Sequence, residues 1–171
     1  VAADDEERAV LWKGRKSAFG AIANIKPNYY LHDTVVPRHR LPEVLEQVYE
    51  IAARHELLVL NVFHAGDGNL HPLLVYDAAE PGVSERVHAA GHEIVRASVA
   101  AGGVLSGEHG IGLEKRDLMP LMFSEVDLAA QAALRRAFDP IGLANPDKVL
   151  PSPAGCGDLN AVAHGAEGLW V

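Results

Sequence analysis

An Asp-Gly pair between two stretches of strand-forming residues constrains the fold of this chain more than any other feature. Asp67 and Gly68 separate the apolar residues 57–63 from residues 70–76, and both stretches are rich in branched and aromatic side chains. An Asp-Gly pair readily adopts the positive φ angles of a two-residue hairpin turn. The sequence therefore predicts an antiparallel β-hairpin centred on this pair.

Two histidines flank the predicted turn. If the Asp-Gly pair occupies both turn positions, His64 lies directly opposite His71. Directly opposed residues share a face of a hairpin and have β carbons about 4.5 to 5.5 Å apart. Two imidazoles at that separation can bind one zinc-like ion at about 2.0 to 2.1 Å each. Taken alone, the hairpin is equally compatible with two solvated histidines.

A second segment, Gly-Glu-His-Gly at residues 107–110, favours the metal site. Glu108 offers a carboxylate as the third ligand, and two histidines with one carboxylate form a recurrent catalytic set. His109 is a candidate base, because an imidazole titrates near neutral pH. Neighbouring residues on a regular strand point to opposite faces. The flanking glycines therefore predict an irregular backbone that brings both side chains to one site.

Helical patterns surround the predicted hairpin. A capping box of Ser124 and Asp127 opens the last helix, and Gly102-Gly103 ends an earlier one. The predicted helices cover residues 4–19, 41–51, 82–100 and 124–138, and residues 20–30 are predicted to be irregular or extended. Two strands between helices, with no strand-helix-strand alternation, predict an α+β fold with an antiparallel sheet backed by helices.

Composition excludes several classes of protein. The 171 residues carry a net charge of -8, which argues against a nucleic-acid partner. A single cysteine, Cys156, forms no internal disulfide, and no apolar stretch has the about 18 residues of a membrane span. A cytoplasmic protein is expected. After residue 150 the sequence is rich in Pro, Gly and Ala, which predicts a domain at 1–150 and a loose tail at 151–171.

Five separated motifs recur in a fixed order between about residues 8 and 153. They are LWKGRK at 11–16, DTVVP at 33–37, NVFHAGDGNLHP at 61–72, SGEHGIGLEK at 106–115, and FDP to NPDK at 138–148. In this order they resemble the C-terminal half of FAD-linked oxidases of the vanillyl-alcohol oxidase type. The resemblance is strongest to the FAD-linked D subunit of bacterial glycolate oxidase, whose relatives include D-lactate and D-2-hydroxyglutarate dehydrogenases.

The resemblance implies a substrate or cap domain with a ferredoxin-like antiparallel sheet, and an N-terminal FAD-binding domain that this chain lacks. It implies oxidation of a small D-2-hydroxy acid to the 2-oxo acid, with hydride passing to FAD. Arg15 matches the position that clamps the substrate carboxylate. Asn69 is expected to orient substrate or flavin, and Asn145 to approach the flavin. Without the FAD domain, the chain is expected to be inactive.

In this interpretation His64, His71 and Glu108 hold a divalent metal, either zinc, manganese or iron, that acts on the substrate as a Lewis acid. His109 takes the hydroxyl proton. Iron–sulfur subunits are possible partners, through which the protein would associate with a membrane.

Other interpretations remain open from the sequence. A stand-alone zinc hydrolase would use the same two histidines and glutamate to activate water. A structural or interaction domain would need none of them. Without the resemblance, Arg15 is interpreted as a solvated cation on a helix. The Asn145-Pro146 pair is then interpreted as a linker that ends a helix.

Overall fold

The computed structural model describes residues 1–151, which fall into two compact units divided after Gly110. The first unit carries most of the regular structure, and the second begins at Ile111. The tail predicted at residues 151–171 lies, beyond Pro151, outside the described residues. The predicted domain boundary near residue 150 therefore stays a prediction.

Helix α1, Asp5–Ile22, opens the first unit. The Asp4 side chain accepts a hydrogen bond from the backbone N–H of Glu7, and acidic residues fill the first turn, where the helix dipole favours them. The prediction ended this helix near residue 19 and was wrong there, because the helix continues to Ile22. That isoleucine is buried, whereas most of α1 is exposed.

Four strands form one antiparallel sheet around a central strand. They are β1 (Asn28–Leu31), β2 (Thr34–Val35), β3 (Leu58–His64) and β4 (Asn69–Tyr76). β3 pairs with β4 along one edge, while β1 and β2 pair with the two ends of β4 along the other edge. The predicted hairpin is therefore β3 and β4, and its second strand, β4, is the central strand of the sheet.

Two helices cover one face of this sheet. They are α2 (Leu41–Arg54), which has Pro42 in its first turn, and α3 (Val83–Ala100). The main core combines their apolar residues with Val59, Leu70 and Leu74 of the sheet. Alternate residues of β4 point the other way, and Leu73 and Val75 pack there with Ile22. The sheet thus has one face covered by α2 and α3 and a second face with a smaller apolar cluster.

The second unit contains a short 3-10 helix, Arg116–Leu121, and helix α4, Glu125–Phe138. Ser124 accepts a hydrogen bond from the backbone of Asp127, whose carboxylate accepts one from the backbone of Ser124. The predicted capping box is therefore present. After α4, Asp139 binds the backbone N–H groups of Leu143 and Ala144 through its carboxylate.

The structure confirms the predicted α+β fold with an antiparallel sheet backed by helices. The sheet has four strands in the described residues, so the prediction of two strands was incomplete. Among the helices that the structure describes, none combines the length and the apolarity required to cross a bilayer.

Candidate functional site

The hairpin places three polar side chains on one face of the sheet, although its register differs from the prediction. His64 pairs with Asn69, and His71 pairs with Val62. The predicted pairing of His64 with His71 is therefore wrong by two residues, because the loop consists of residues 65–68 rather than Asp-Gly alone. A shift of two residues preserves the alternation of faces. The two imidazoles still share a face, with ring centroids 5.4 Å apart.

Contacts to a neighbouring segment explain the longer loop. The backbone N–H of Val36 donates to the carbonyl oxygen of Gly68 at 3.0 Å. Gly68 has a φ of 75°, and a β carbon there would overlap the carbonyl oxygen of Val36. The segment that follows β2 therefore holds the end of the loop. These contacts favour the four-residue loop over the predicted two-residue turn.

His71 is the buried member of the cluster, with 5% of its surface exposed. Its Nδ1 lies 3.3 Å from the carbonyl oxygen of His32, and its Nε2 lies 2.8 Å from Oε1 of Glu108. If the ring donates its Nδ1 proton to that carbonyl, the lone pair on Nε2 points at the carboxylate of Glu108. A nitrogen and a carboxylate oxygen at this distance are joined by a hydrogen atom or by a metal ion between them.

Glu108 lies between the two histidines. Its Oε1 is 3.7 Å from Nε2 of His64, and one candidate ligand atom from each of the three residues lies within 4.8 Å of the others. Ligands about 2.1 Å from a common ion and about 90 to 110° apart are separated by about 3.0 to 3.4 Å. The side chains of His64 and Glu108 are 46% and 52% exposed, so both can adjust around the buried His71. The three residues therefore fit a divalent metal.

Asp33 organises the loop that carries Glu108, a role that is not evident from its place in the sequence. Its Oδ2 accepts a hydrogen bond from Oγ of Ser106 and from three consecutive backbone N–H groups, those of residues 107–109, at 2.8 to 3.0 Å. Asp33 is only 1% exposed. A buried carboxylate requires such donors. The available signal was a lone acid between His32 and Thr34 in a short segment that ends in Val35 and Val36.

His109 lies against His71. The two rings are stacked, with centroids 5.0 Å apart and an angle of 21° between their planes. Nε2 of His109 is 3.9 Å from Oε1 of Glu108, and 44% of its side chain is exposed. The backbone turns around Asp33 instead of continuing as a strand, so the neighbouring side chains of Glu108 and His109 both reach His71.

Asn69 lies beside Glu108 and is buried. Its Nδ2 is 3.5 Å from Oε1 of Glu108, and its Oδ1 is buried with no hydrogen-bond partner among the described residues. A β carbon on Gly107 would lie 2.8 Å from Nδ2 of Asn69. The loop thus approaches the asparagine closely, and only glycine fits at residue 107.

The two other predicted site residues, Arg15 and Asn145, are described by their own local contacts. Arg15 is exposed on α1, with its guanidinium carbon 5.9 Å from the centre of the Trp12 ring. No hydrogen bond or ion pair in the described part of the chain joins Arg15 to the histidines. Asn145, in the second unit, is exposed with a φ of 47°, and its carbonyl oxygen accepts a hydrogen bond from Arg135 at 2.7 Å.

Comparison with known proteins decides the family. The family of FAD linked oxidases, C-terminal domain, matches residues 1–149 of this chain. The chain belongs to this family. The resemblance that the sequence motifs suggest is thereby confirmed, and the match includes both histidines of the hairpin and the loop that carries Glu108.

Named relatives include enzymes that oxidise hydroxy acids. The glycolate oxidase subunit GlcD of Escherichia coli is 45% identical over 167 residues, which cover 96% of this chain and 34% of that protein. The subunit of the same name from Bacillus subtilis is 35% identical, with 90% and 33% covered. A probable mitochondrial D-lactate dehydrogenase of Danio rerio is 34% identical, with 87% and 30% covered. The chain therefore spans about a third of the length of these relatives.

A solved structure supports the fold. A 4-ethylphenol oxidase from Gulosibacter chungangensis, in complex with isoeugenol, superimposes with a TM-score of 0.54 and 20% sequence identity. The superposition covers 72% of this chain and 24% of that chain. At this identity the similarity concerns the fold alone.

Proposed function

We propose that this chain forms the substrate-binding part of a flavin-dependent oxidoreductase that oxidises a small 2-hydroxy acid of the glycolate or D-lactate type. Its family membership and the names of its relatives support this assignment. The observation that carries it for the site is the convergence of His64, His71, Glu108 and His109 on one sheet face.

His64, His71 and Glu108 are proposed to hold a divalent metal, either zinc, manganese or iron. Such an ion, when bound, supplies Lewis acidity that lowers the pKa of a coordinated hydroxyl. The contact between Nδ1 of His71 and the carbonyl of His32 supports this role, because it orients Nε2 toward the ligand position.

The remaining residues of the cluster are proposed to handle the substrate. Nε2 of His109 accepts the proton of the substrate hydroxyl, since its ring lies beside the ligands and is partly exposed. The amide of Asn69 orients the substrate, and its buried Oδ1 is the atom with a hydrogen bond still to make. Arg15 is proposed to clamp the carboxylate, for which its planar guanidinium is suited.

FAD, when bound, supplies the hydride acceptor that no side chain can provide. Asn145 is the residue of this chain proposed to contact FAD. Its exposed amide can donate and accept hydrogen bonds, and the hydrogen bond from Arg135 fixes the backbone beside it. An FAD-binding domain of the same protein is the partner proposed for this chain. Iron–sulfur subunits and a cytoplasmic location stay predictions.

The experiment replaces the matching third of Escherichia coli GlcD with this chain and measures anaerobic bleaching of the flavin by glycolate and by D-lactate. We expect bleaching by one of the two acids. Glu108→Gln and His109→Gln should abolish it, whereas Glu114→Gln, an exposed control, should not. FAD content shows whether each variant folds.

Two results would contradict the proposal. One is a chimaera that retains FAD and is bleached equally fast after Glu108→Gln or His109→Gln. The other is zinc-dependent ester cleavage by the 171-residue chain without FAD, which would support the hydrolase instead.

A further inference from the structure

We infer that Asp33 is the positioning residue of this site: its buried carboxylate fixes the loop of residues 106–110, so that Glu108 and His109 stay in contact with His71. The inference rests on the proposed function for its metal readout. It gives a specific task to a residue that is not among the proposed metal ligands or substrate-binding residues.

The contacts of a single oxygen atom carry the inference. Oδ2 of Asp33 accepts hydrogen bonds from Ser106 Oγ at 2.5 Å and from the N–H groups of Gly107, Glu108 and His109 at 2.8, 3.0 and 2.9 Å. Three consecutive N–H groups that converge on one anion form a concave backbone nest. Ser106 Oγ also accepts a hydrogen bond from the backbone of residue 110 at 2.8 Å, which closes the loop on itself.

The position of Asp33 is itself fixed by the sheet. Leu31, at the end of β1, pairs with Leu73, and Thr34, at the start of β2, pairs with Leu70. Residues 32 and 33 therefore connect two short strands that are both held by β4, the strand that carries His71. Asp33 cannot shift along β4 unless one of these pairings breaks.

The preceding residue holds the other half of the site. The backbone carbonyl of His32 lies 3.3 Å from Nδ1 of His71. Through their contacts, residues 32 and 33 thus orient the buried histidine ligand and anchor the loop that bears the carboxylate ligand. The 2.8 Å contact between His71 and Glu108 joins these two anchored groups.

The loop of residues 106–110 is also restrained by its contacts with the sheet. A β carbon on Gly107 would lie 2.6 Å from Cγ2 of Val35 and 2.8 Å from Nδ2 of Asn69. The loop therefore already touches the sheet and cannot move closer. Asp33 prevents the opposite movement, away from the sheet, and its loss would release Glu108 toward solvent.

The test compares Asp33→Asn and Ser106→Ala with the unmodified 171-residue chain. Asparagine keeps the shape of aspartate and can still place its amide oxygen at the Oδ2 position, but it loses the negative charge on which four donors converge. The matched control is Asp139→Asn, because Asp139 also binds two backbone N–H groups of a loop but that loop carries no proposed metal ligand.

Two quantities are measured on each variant. The first is Zn²⁺ affinity, for which we expect Asp33→Asn to weaken binding about 10- to 100-fold and Ser106→Ala about fivefold, with no change in the control. The second is amide hydrogen exchange without metal, which should accelerate at residues 107–109 at least about tenfold in Asp33→Asn and stay unchanged at Leu73.

Each outcome decides the inference. Unchanged exchange at residues 107–109 in Asp33→Asn overturns it, and so does faster exchange with unchanged Zn²⁺ affinity, which would make the role purely structural. If Asp33→Asn does not fold, Ser106→Ala decides by the same two criteria. If the unmodified chain binds no Zn²⁺, the metal proposal fails, and the role of Asp33 is then tested by hydrogen exchange and by the NMR signals of the His71 ring. An Asp33→Asn variant whose ring signals and exchange rates match those of the unmodified chain would refute the positioning role.

Discussion

Replacing Gly91 with alanine should destabilise the protein, although alanine normally favours a helix. Gly91 lies inside α3, where exchange of glycine for alanine stabilises by about 1 kcal/mol when space is open. Here the space is occupied. A β carbon at Gly91 would lie 2.5 Å from Cε1 of the His32 ring, closer still to its Nε2, and 3.1 Å from the ring of Tyr30.

The His32 ring has little room to retreat. His32 is 2% exposed and packs edge to face against Tyr30, with ring centroids 4.4 Å apart. Forcing an extra carbon into a packed core costs about 1 to 3 kcal/mol. Because the overlap is severe, the upper half of that range applies. After the gain in helix propensity of about 1 kcal/mol, Gly91→Ala should lower the free energy of unfolding by about 1 to 2 kcal/mol.

Urea denaturation followed by circular dichroism measures this effect, with Gly14→Ala as the matched control. Gly14 lies inside α1, and a β carbon there meets no atom of the described chain within 4 Å. The control should therefore gain up to about 1 kcal/mol. A Gly91→Ala variant as stable as the unmodified chain would refute the packing of His32 against α3.

Three further predictions concern local interactions. Ser124→Ala should cost about 1 kcal/mol of unfolding free energy in thermal denaturation, because it removes the capping hydrogen bond of α4; no loss would contradict the capping box. Gly68→Ala should destabilise the hairpin by about 1 kcal/mol or more, because alanine is strained at a positive φ and its β carbon would overlap the carbonyl oxygen of Val36. Gly66→Ala meets open space and should change the stability little. The hydrogen bond from His55 holds the pKa of Glu93 below its ordinary 4.5. The ionised Glu93 should therefore stabilise the folded state by about 0.5 kcal/mol, a small value because the pair is exposed. This stabilisation should be complete above pH 4.5 and disappear as the pH falls through the lowered pKa of Glu93. Denaturation of Glu93→Gln from pH 7 to pH 3 tests this, and a difference from the unmodified chain that persists at pH 3 would contradict it.

The long elements were predictable from the sequence because each carries its own periodic pattern. The apolar spacing of α2, the capping box of α4 and the two apolar strands of the hairpin all identify elements of the observed structure. Residues 28–31 and 34–35 form strands of four and two residues, which are too short to show an alternation of their own. They are strands because β4 supplies partners for them.

The site was predictable in its residues but not in its register or its supports. The Asp-Gly pair favoured a two-residue turn, yet contacts with Val36 impose a four-residue loop, and such contacts leave no local pattern in the sequence. His64 and His71 share a face in either register because two residues separate the two alignments. The anchoring of Glu108 by Asp33 joins positions 75 residues apart and required the fold.

Zn²⁺ titration of the 171-residue chain by calorimetry tests the proposed metal centre most directly. The unmodified chain and His39→Ala, an exposed control, should each bind one equivalent. His71→Ala and Glu108→Ala should each lose more affinity than the about 10- to 100-fold that accompanies loss of a contact around the ligands. Equal Zn²⁺ binding by the unmodified chain and Glu108→Ala, or none by either, would contradict the metal centre.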